Sequence, residues 1–176
     1  MTAYDILWDF AEDHYGIVTT SQAVTLGIDM HQLPAMAKRG TLIKKGYGVY
    51  LAKHHIPREN DVYAHSVAMA GESAYLRGAS VVALLKLAPT NPGIIYLGAT
   101  ARVRRRLPNN LRLMDMRPCK CVQYHGIRSQ PLVDALRTAR DEGAIEADRI
   151  ADAAVKAHND GLLTEVEMNE FIRGTT

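Results

Sequence analysis

The stretch TTSQAVTLGIDMHQLPAMAKRGTLIKKGYGVY, residues 19–50, decides the fold. Thr19 and Thr20 carry hydroxyls able to accept a backbone N–H at a helix start, so Ser21 to Leu26 reads as a short helix ended by Gly27. Asp29 is the expected cap of a further helix over residues 30–39, closed by Gly40. Leu42-Ile43-Lys44-Lys45 and Gly48-Val49-Tyr50-Leu51 flank Gly46-Tyr47 in the pattern of a β-hairpin. Upstream, Ile6, Leu7, Phe10 and Ala11 recur at helical spacing with Asp5, Asp9, Glu12 and Asp13 opposite, which predicts an amphipathic helix from Tyr4 to Tyr15.

A helix, a helix–turn–helix and then a two-stranded ribbon is the order of a winged helix-turn-helix. Three short helices bury one small core and leave the outer side of the third free to enter a DNA major groove, while the ribbon reaches the flanking backbone. On that third helix Met30, Leu33, Met36 and Ala37 are the expected core face. His31, Gln32, Ala35, Lys38 and Arg39 are the expected outer face, with an amide able to read adenine and cations able to hold phosphate or guanine. Pro34 disturbs a helix capped by Asp29, because it falls past the first turn; a start nearer Gln32 relieves the conflict and draws His31 back. The expected DNA-contacting set is Thr20, Gln22, His31, Gln32, Lys38, Arg39, Lys44, Lys45 and Tyr47.

The 176 residues carry a net charge of only +2, but unevenly. Residues 1–56 are neutral, residues 57–128 hold eleven Lys and Arg against four Asp and Glu, and residues 129–176 hold five against ten. A basic middle points to a polyanionic partner, or to neutralisation by the acidic tail. With 47% hydrophobic and 23% charged residues the chain is not disordered throughout. No run suits a membrane helix, and the N-terminus lacks the basic start and apolar run of a secretory signal, so a cytoplasmic protein without a membrane partner is expected.

A composition change after Lys53-His54-His55-Ile56-Pro57 places the expected boundary between a domain of residues 1–56 and one of residues 57–176. The second reads as a small mixed α/β domain, giving an α+β chain overall. It combines helices over residues 62–70 and 80–87, strands at Ile94 to Leu97 and Leu111 to Met116, and a strand pair turning at His125-Gly126. A helix opens at Pro131, and two more close the chain, the last with the capping box Thr164-Glu165-Val166-Glu167.

Arg102, Arg104, Arg105 and Arg106 crowd one loop and form a possible anion-binding cluster for phosphate or for an acidic protein surface. No metal site or cofactor is expected. His54 and His55 are neighbours that diverge, are read as solvent-exposed, and have no third ligand nearby; Cys119, Cys121 and His125 lack a convincing fourth ligand and zinc-like spacing. The sequence has no Gly-Lys-Ser/Thr phosphate loop, no Gly-x-Ser-x-Gly elbow and no His-Glu-x-x-His, so it is read as a non-enzyme. The rivals are a nucleic-acid-processing enzyme using Asp115 or Glu72, a general winged-helix regulator, and a protein adaptor.

Gly16-Ile17-Val18-Thr19-Thr20-Ser21-Gln22-Ala23, Gly27-Ile28 and Lys38-Arg39-Gly40-Thr41-Leu42-Ile43-Lys44-Lys45-Gly46-Tyr47-Gly48-Val49-Tyr50 together resemble the N-terminal winged helix of the AbiEi-type antitoxins of bacterial type IV toxin–antitoxin systems. More loosely, Glu72-Ser73-Ala74, the helix to Leu87, the arginine loop and the Gly126-Ile127 turn followed by Pro131 resemble that family's C-terminal antitoxin domain. The resemblance implies a repressor that binds double-stranded DNA at inverted repeats in its own promoter and opposes a nucleotidyltransferase-type toxin. It places the DNA contacts on Gln32, Lys38, Arg39, Lys44 and Lys45.

Overall fold

The structure is a computed structural model that describes residues 1–90 and 93–175. The fold is α+β, and the chain forms two compact units. The first comprises Met1–Glu72 together with Arg105–Leu107, and the second comprises Ser73–Arg104 and Pro108–Thr176. The first unit thus extends beyond the composition change at residues 54–60, because the helix that follows the change belongs to it.

In the first unit, α1 (Ala3–Glu12) starts on a capping box in which the Thr2 hydroxyl accepts from the Asp5 N–H while the Thr2 N–H donates to the Asp5 carboxylate at 2.7 Å. Strand β1 (Ile17–Thr19) follows, then α2 (Thr20–Thr25) and α3 (Gln32–Arg39), then β2 (Leu42–Gly46), β3 (Val49–Ala52) and α4 (Asp61–Ala70). The three strands form an antiparallel sheet in the order β1-β3-β2. Leu7, Val18, Ala23, Ile28, Leu33, Met36, Leu42 and Tyr50 make its buried core, with Ile6, Phe10 and Ala37 packed at the margin. Met30, expected in that core, is 48% exposed: it lies ahead of α3, where no helical turn directs it inward.

The second unit is built on a five-stranded mixed sheet in the order β6-β5-β4-β8-β7. Its elements are β4 (Ala74–Leu76), α5 (Ala79–Leu84), β5 (Ile95–Ala99), β6 (Leu111–Met116), β7 (Val122–Tyr124), β8 (Ile127–Ser129), α6 (Leu132–Asp141), α7 (Ala147–Asn159) and α8 (Glu165–Arg173). β4 runs antiparallel to β5 and parallel to β8, β5 parallel to β6, and β7 antiparallel to β8. The β7–β8 turn is His125-Gly126, both left-handed, as a tight two-residue hairpin requires. No helix among the described residues is long and apolar enough to cross a membrane.

The centre of the second unit is set by Tyr75 on β4. Its ring lies where a Cβ on Gly98 of β5 would stand, closer than 3.0 Å. Burial and the nearby Asp115 carboxylate push the Tyr75 phenol up to about 12. Arg77, 12% exposed, pairs with Asp115 at 3.2 Å and with Glu142 at 2.6 Å, joining β6 to the end of α6.

Two outcomes test this packing. Gly98→Ala forces the ring to move, and overpacking of this kind lowers stability by about 1–3 kcal/mol, read as a shift in the denaturant midpoint. Thr164→Ala removes the α8 cap at a cost of about 1 kcal/mol. Hydrogen bonds from the Thr164 N–H and hydroxyl hold the Glu167 carboxyl below its ordinary value. Their contribution is therefore complete above the unfolded carboxyl's pKa and fades as pH falls through the lower folded one. The gap in melting temperature between wild type and T164A should narrow on acidification.

Candidate nucleic-acid interface

α3 begins at Gln32. Asp29 is not its cap; the Asp29 carboxylate instead accepts from the His31 N–H at 2.9 Å in a turn ahead of the helix. Pro34 consequently sits at the third helical position, among the first N–H groups that have no intrahelical partner, and costs the helix nothing. Leu33 and Met36 point into the core, while His31, Gln32, Pro34, Lys38 and Arg39 are exposed and Ala35 is half-buried. Gly40 closes the helix in the left-handed conformation, with φ 81°, and turns the chain directly into β2.

β2 presents Lys44 and Lys45, both exposed, five to seven residues beyond Lys38 and Arg39. Tyr47 stands at the tip of the hairpin, 78% exposed. Thr20 and Gln22 are placed differently from the rest of the expected set. The Thr20 N–H donates to the Gly48 carbonyl at 2.9 Å, and its hydroxyl lies 3.4 Å from the same oxygen, tying α2 to the hairpin. The cap of α2 is Thr19, whose N–H donates to the Gln22 side-chain oxygen at 2.8 Å. Both Thr20 and Gln22 are half-buried and serve to position α2 and the hairpin. A hydroxyl cap at Thr19-Thr20 was legible; the reciprocal bond from Gln22 and the orientation of both side chains were not.

The arginine loop divides. Arg102 and Arg104 lie in the second unit and are exposed, whereas Arg105 and Arg106 lie in the segment that joins the first. The Arg105 guanidinium sits 5.4 Å from the centre of the Tyr47 ring, a cation–π contact, and beside Gly71. The hairpin tip thereby acquires a cation from a segment 58 positions further along the chain. Spacing alone gives no sign of such a return.

The other candidates resolve as follows. His54 is exposed and meets Trp8 edge-on. His55, also expected in solvent, has a side chain only 6% exposed: its ring is pressed against Gly16, and its Nε2 lies 2.7 Å from the Asp61 carboxylate. The third nearby ligand type missed in the sequence is His65, one helical turn beyond Asp61 on α4. Cys119 and Cys121 are free thiols, both half-buried, and burial with a hydrogen bond to Cys121 pushes Cys119 up to about 12, away from reactivity. Asp115 is engaged by Arg77, and Glu72 takes a hydrogen bond from the Ser21 hydroxyl. The second unit also contains a cleft of about 480 Å³ with Tyr124, Leu132 and Leu163 in its wall and Asp134, Glu167 and Glu170 at its rim.

No protein-family model matches the sequence, and no curated protein sequence matches it. Among solved structures, the crystal structure of the RV2827C protein from Mycobacterium tuberculosis aligns with 98% of this chain and 82% of its own, at 12% identity and a TM-score of 0.38.

The Tyr47–Arg105 contact can be weighed directly. A double-mutant cycle of Tyr47→Ala and Arg105→Ala should return a coupling of about 0.5–1 kcal/mol in folding stability, the range for a cation–π pair at an exposed site. A coupling of zero would mean that Arg105 rests beside the ring without holding it.

Proposed function

We propose that the first unit is a winged helix that binds double-stranded DNA, and that the chain represses its own operon as an antitoxin of the type IV class. The observation that carries the DNA reading is the grouping of exposed cations on two consecutive elements. Lys38 and Arg39 end α3, and Lys44 and Lys45 follow on β2 across a single glycine-closed turn. The element order α1-β1-α2-α3-β2-β3 with sheet order β1-β3-β2 supports the same reading.

In this mechanism α3 enters the major groove. His31 and Gln32 at its start offer hydrogen-bonding groups to base edges, and Lys38 and Arg39 at its end take phosphate. Lys44, Lys45 and Tyr47 with Arg105 meet the adjoining backbone. Binding involves no chemistry and no cofactor. The second unit opposes a nucleotidyltransferase toxin, in keeping with the family resemblance of its sequence, and both activities belong in the cytoplasm.

Mobility shift on the chain's own upstream DNA tests the first part. Affinity should fall with salt at a log–log slope of about −0.9 for each phosphate contact. Replacing Lys38, Arg39, Lys44 and Lys45 together by Ala should flatten that slope and abolish the shift at physiological salt. Unchanged affinity in that variant would overturn the assigned face. Co-expression with a nucleotidyltransferase toxin tests the second part separately, since growth should be rescued by the full chain whether or not those four cations are present.

A further inference from the structure

The first unit holds a second cluster, away from the cations, that the DNA reading does not use. Asp61 opens α4 and His65 stands four positions on, so the two share one side of the helix. His55 approaches from the segment after β3. One potential ligand atom from each of the three residues lies within 4.8 Å of the other two.

Three features of this cluster go beyond ordinary packing. The His55 ring occupies space that any Cβ on Gly16 would fill, closer than 3.0 Å, so a glycine is what admits the imidazole here. Asp61 Oδ2 is within 2.7 Å of His55 Nε2 and accepts from the Arg58 N–H at 3.0 Å, but the other oxygen, Oδ1, is buried with no hydrogen-bond partner. A carboxylate oxygen removed from water without a partner is costly. His65 donates from Nε2 to the Tyr15 carbonyl at 2.8 Å, which leaves the lone pair of its neutral ring on Nδ1. A ligand histidine oriented through its second nitrogen by a backbone carbonyl is the usual arrangement around a metal.

We propose that His55, Asp61 and His65 form a binding site for a divalent transition metal of the zinc class. Two imidazole nitrogens and one carboxylate suit zinc or cobalt and disfavour magnesium and calcium, which prefer oxygen throughout. Donor atoms around tetrahedral zinc stand about 3.4 Å apart, given bonds of about 2.0–2.1 Å, so as the ion enters, the His55 Nε2–Asp61 Oδ2 hydrogen bond of 2.7 Å opens and the Nε2 proton is released to solvent. Three protein ligands leave the fourth position to water. The ion fastens α4 to the Tyr15-Gly16 turn before β1 and gives the carboxylate the partner it lacks. The proposal stands apart from DNA binding.

The full chain, freed of metal, is titrated with zinc chloride against a chromophoric chelator of micromolar affinity, and separately with cobalt chloride. The expected result is one equivalent bound, visible cobalt bands of tetrahedral intensity, and a raised melting temperature. His65→Gln and Asp61→Asn should each weaken zinc by more than about 100-fold, beyond the 10–100-fold that outer-shell changes cost. His54→Gln, next to the site but exposed, should bind as the wild type does. The side-chain amide introduced by His65→Gln retains a donor for the Tyr15 carbonyl, and the wild-type titration needs no variant. Failure of the wild type to take zinc from the chelator overturns the proposal. So does zinc binding that survives both ligand substitutions, or that is lost on replacing Cys119 and Cys121 by Ser.

Discussion

The first unit depends on β3 being paired along both edges. Ile17, Val18 and Thr19 face Leu51, Tyr50 and Val49 on one side, and β2 runs along the other from Leu42 opposite Ala52. The four residues of β3 therefore carry the registers of two strands; Val49, Tyr50 and Ala52 are all buried, and Tyr50 is the one that joins the core beneath the helices. Because Tyr50 and Leu42 belong to the same core as Leu33 and Met36, the hairpin and α3 are fixed through shared side chains. The exposed face of α3 is what remains after that core is satisfied. Two inward residues on an eight-residue helix are enough to hold it only because a sheet lies under them.

Much of this was legible where local chemistry speaks alone. The hydroxyls of Thr19-Thr20 and the Thr164–Glu167 capping box announce their helices, and Gly40 announces an ending. Pro34 is the instructive case: its ring is incompatible with a helix begun at Asp29, and the helix starts where the proline is harmless. What escaped were the elements too short to show a period. β1 and β4 are three residues each, buried almost throughout, and strand alternation cannot be recognised over that length.

The candidate site divides along the same line. The cations of α3 and β2 lie in one contiguous stretch, and reading them needs only helix spacing and a turn. Arg105 reaches Tyr47 through tertiary return of the chain, and His55 meets Asp61 and His65 because Gly16 makes room for its ring. The divergence of His54 and His55 was visible in their adjacency; that one of them would go inward was decided by a glycine 39 positions earlier. Such a dependence has no local signature.

The excursion of Arg105–Leu107 bears on how the protein can be taken apart. The backbone passes between the two units at residues 72–73, again at 104–105 and again at 107–108. No single scission yields two complete halves: a fragment ended after Glu72 loses the strand of chain that brings Arg105 to Tyr47, and its complement keeps three residues whose surroundings are gone. Length between Thr100 and Asn110 is accordingly a shared property of both units, and insertions there would be felt on each side.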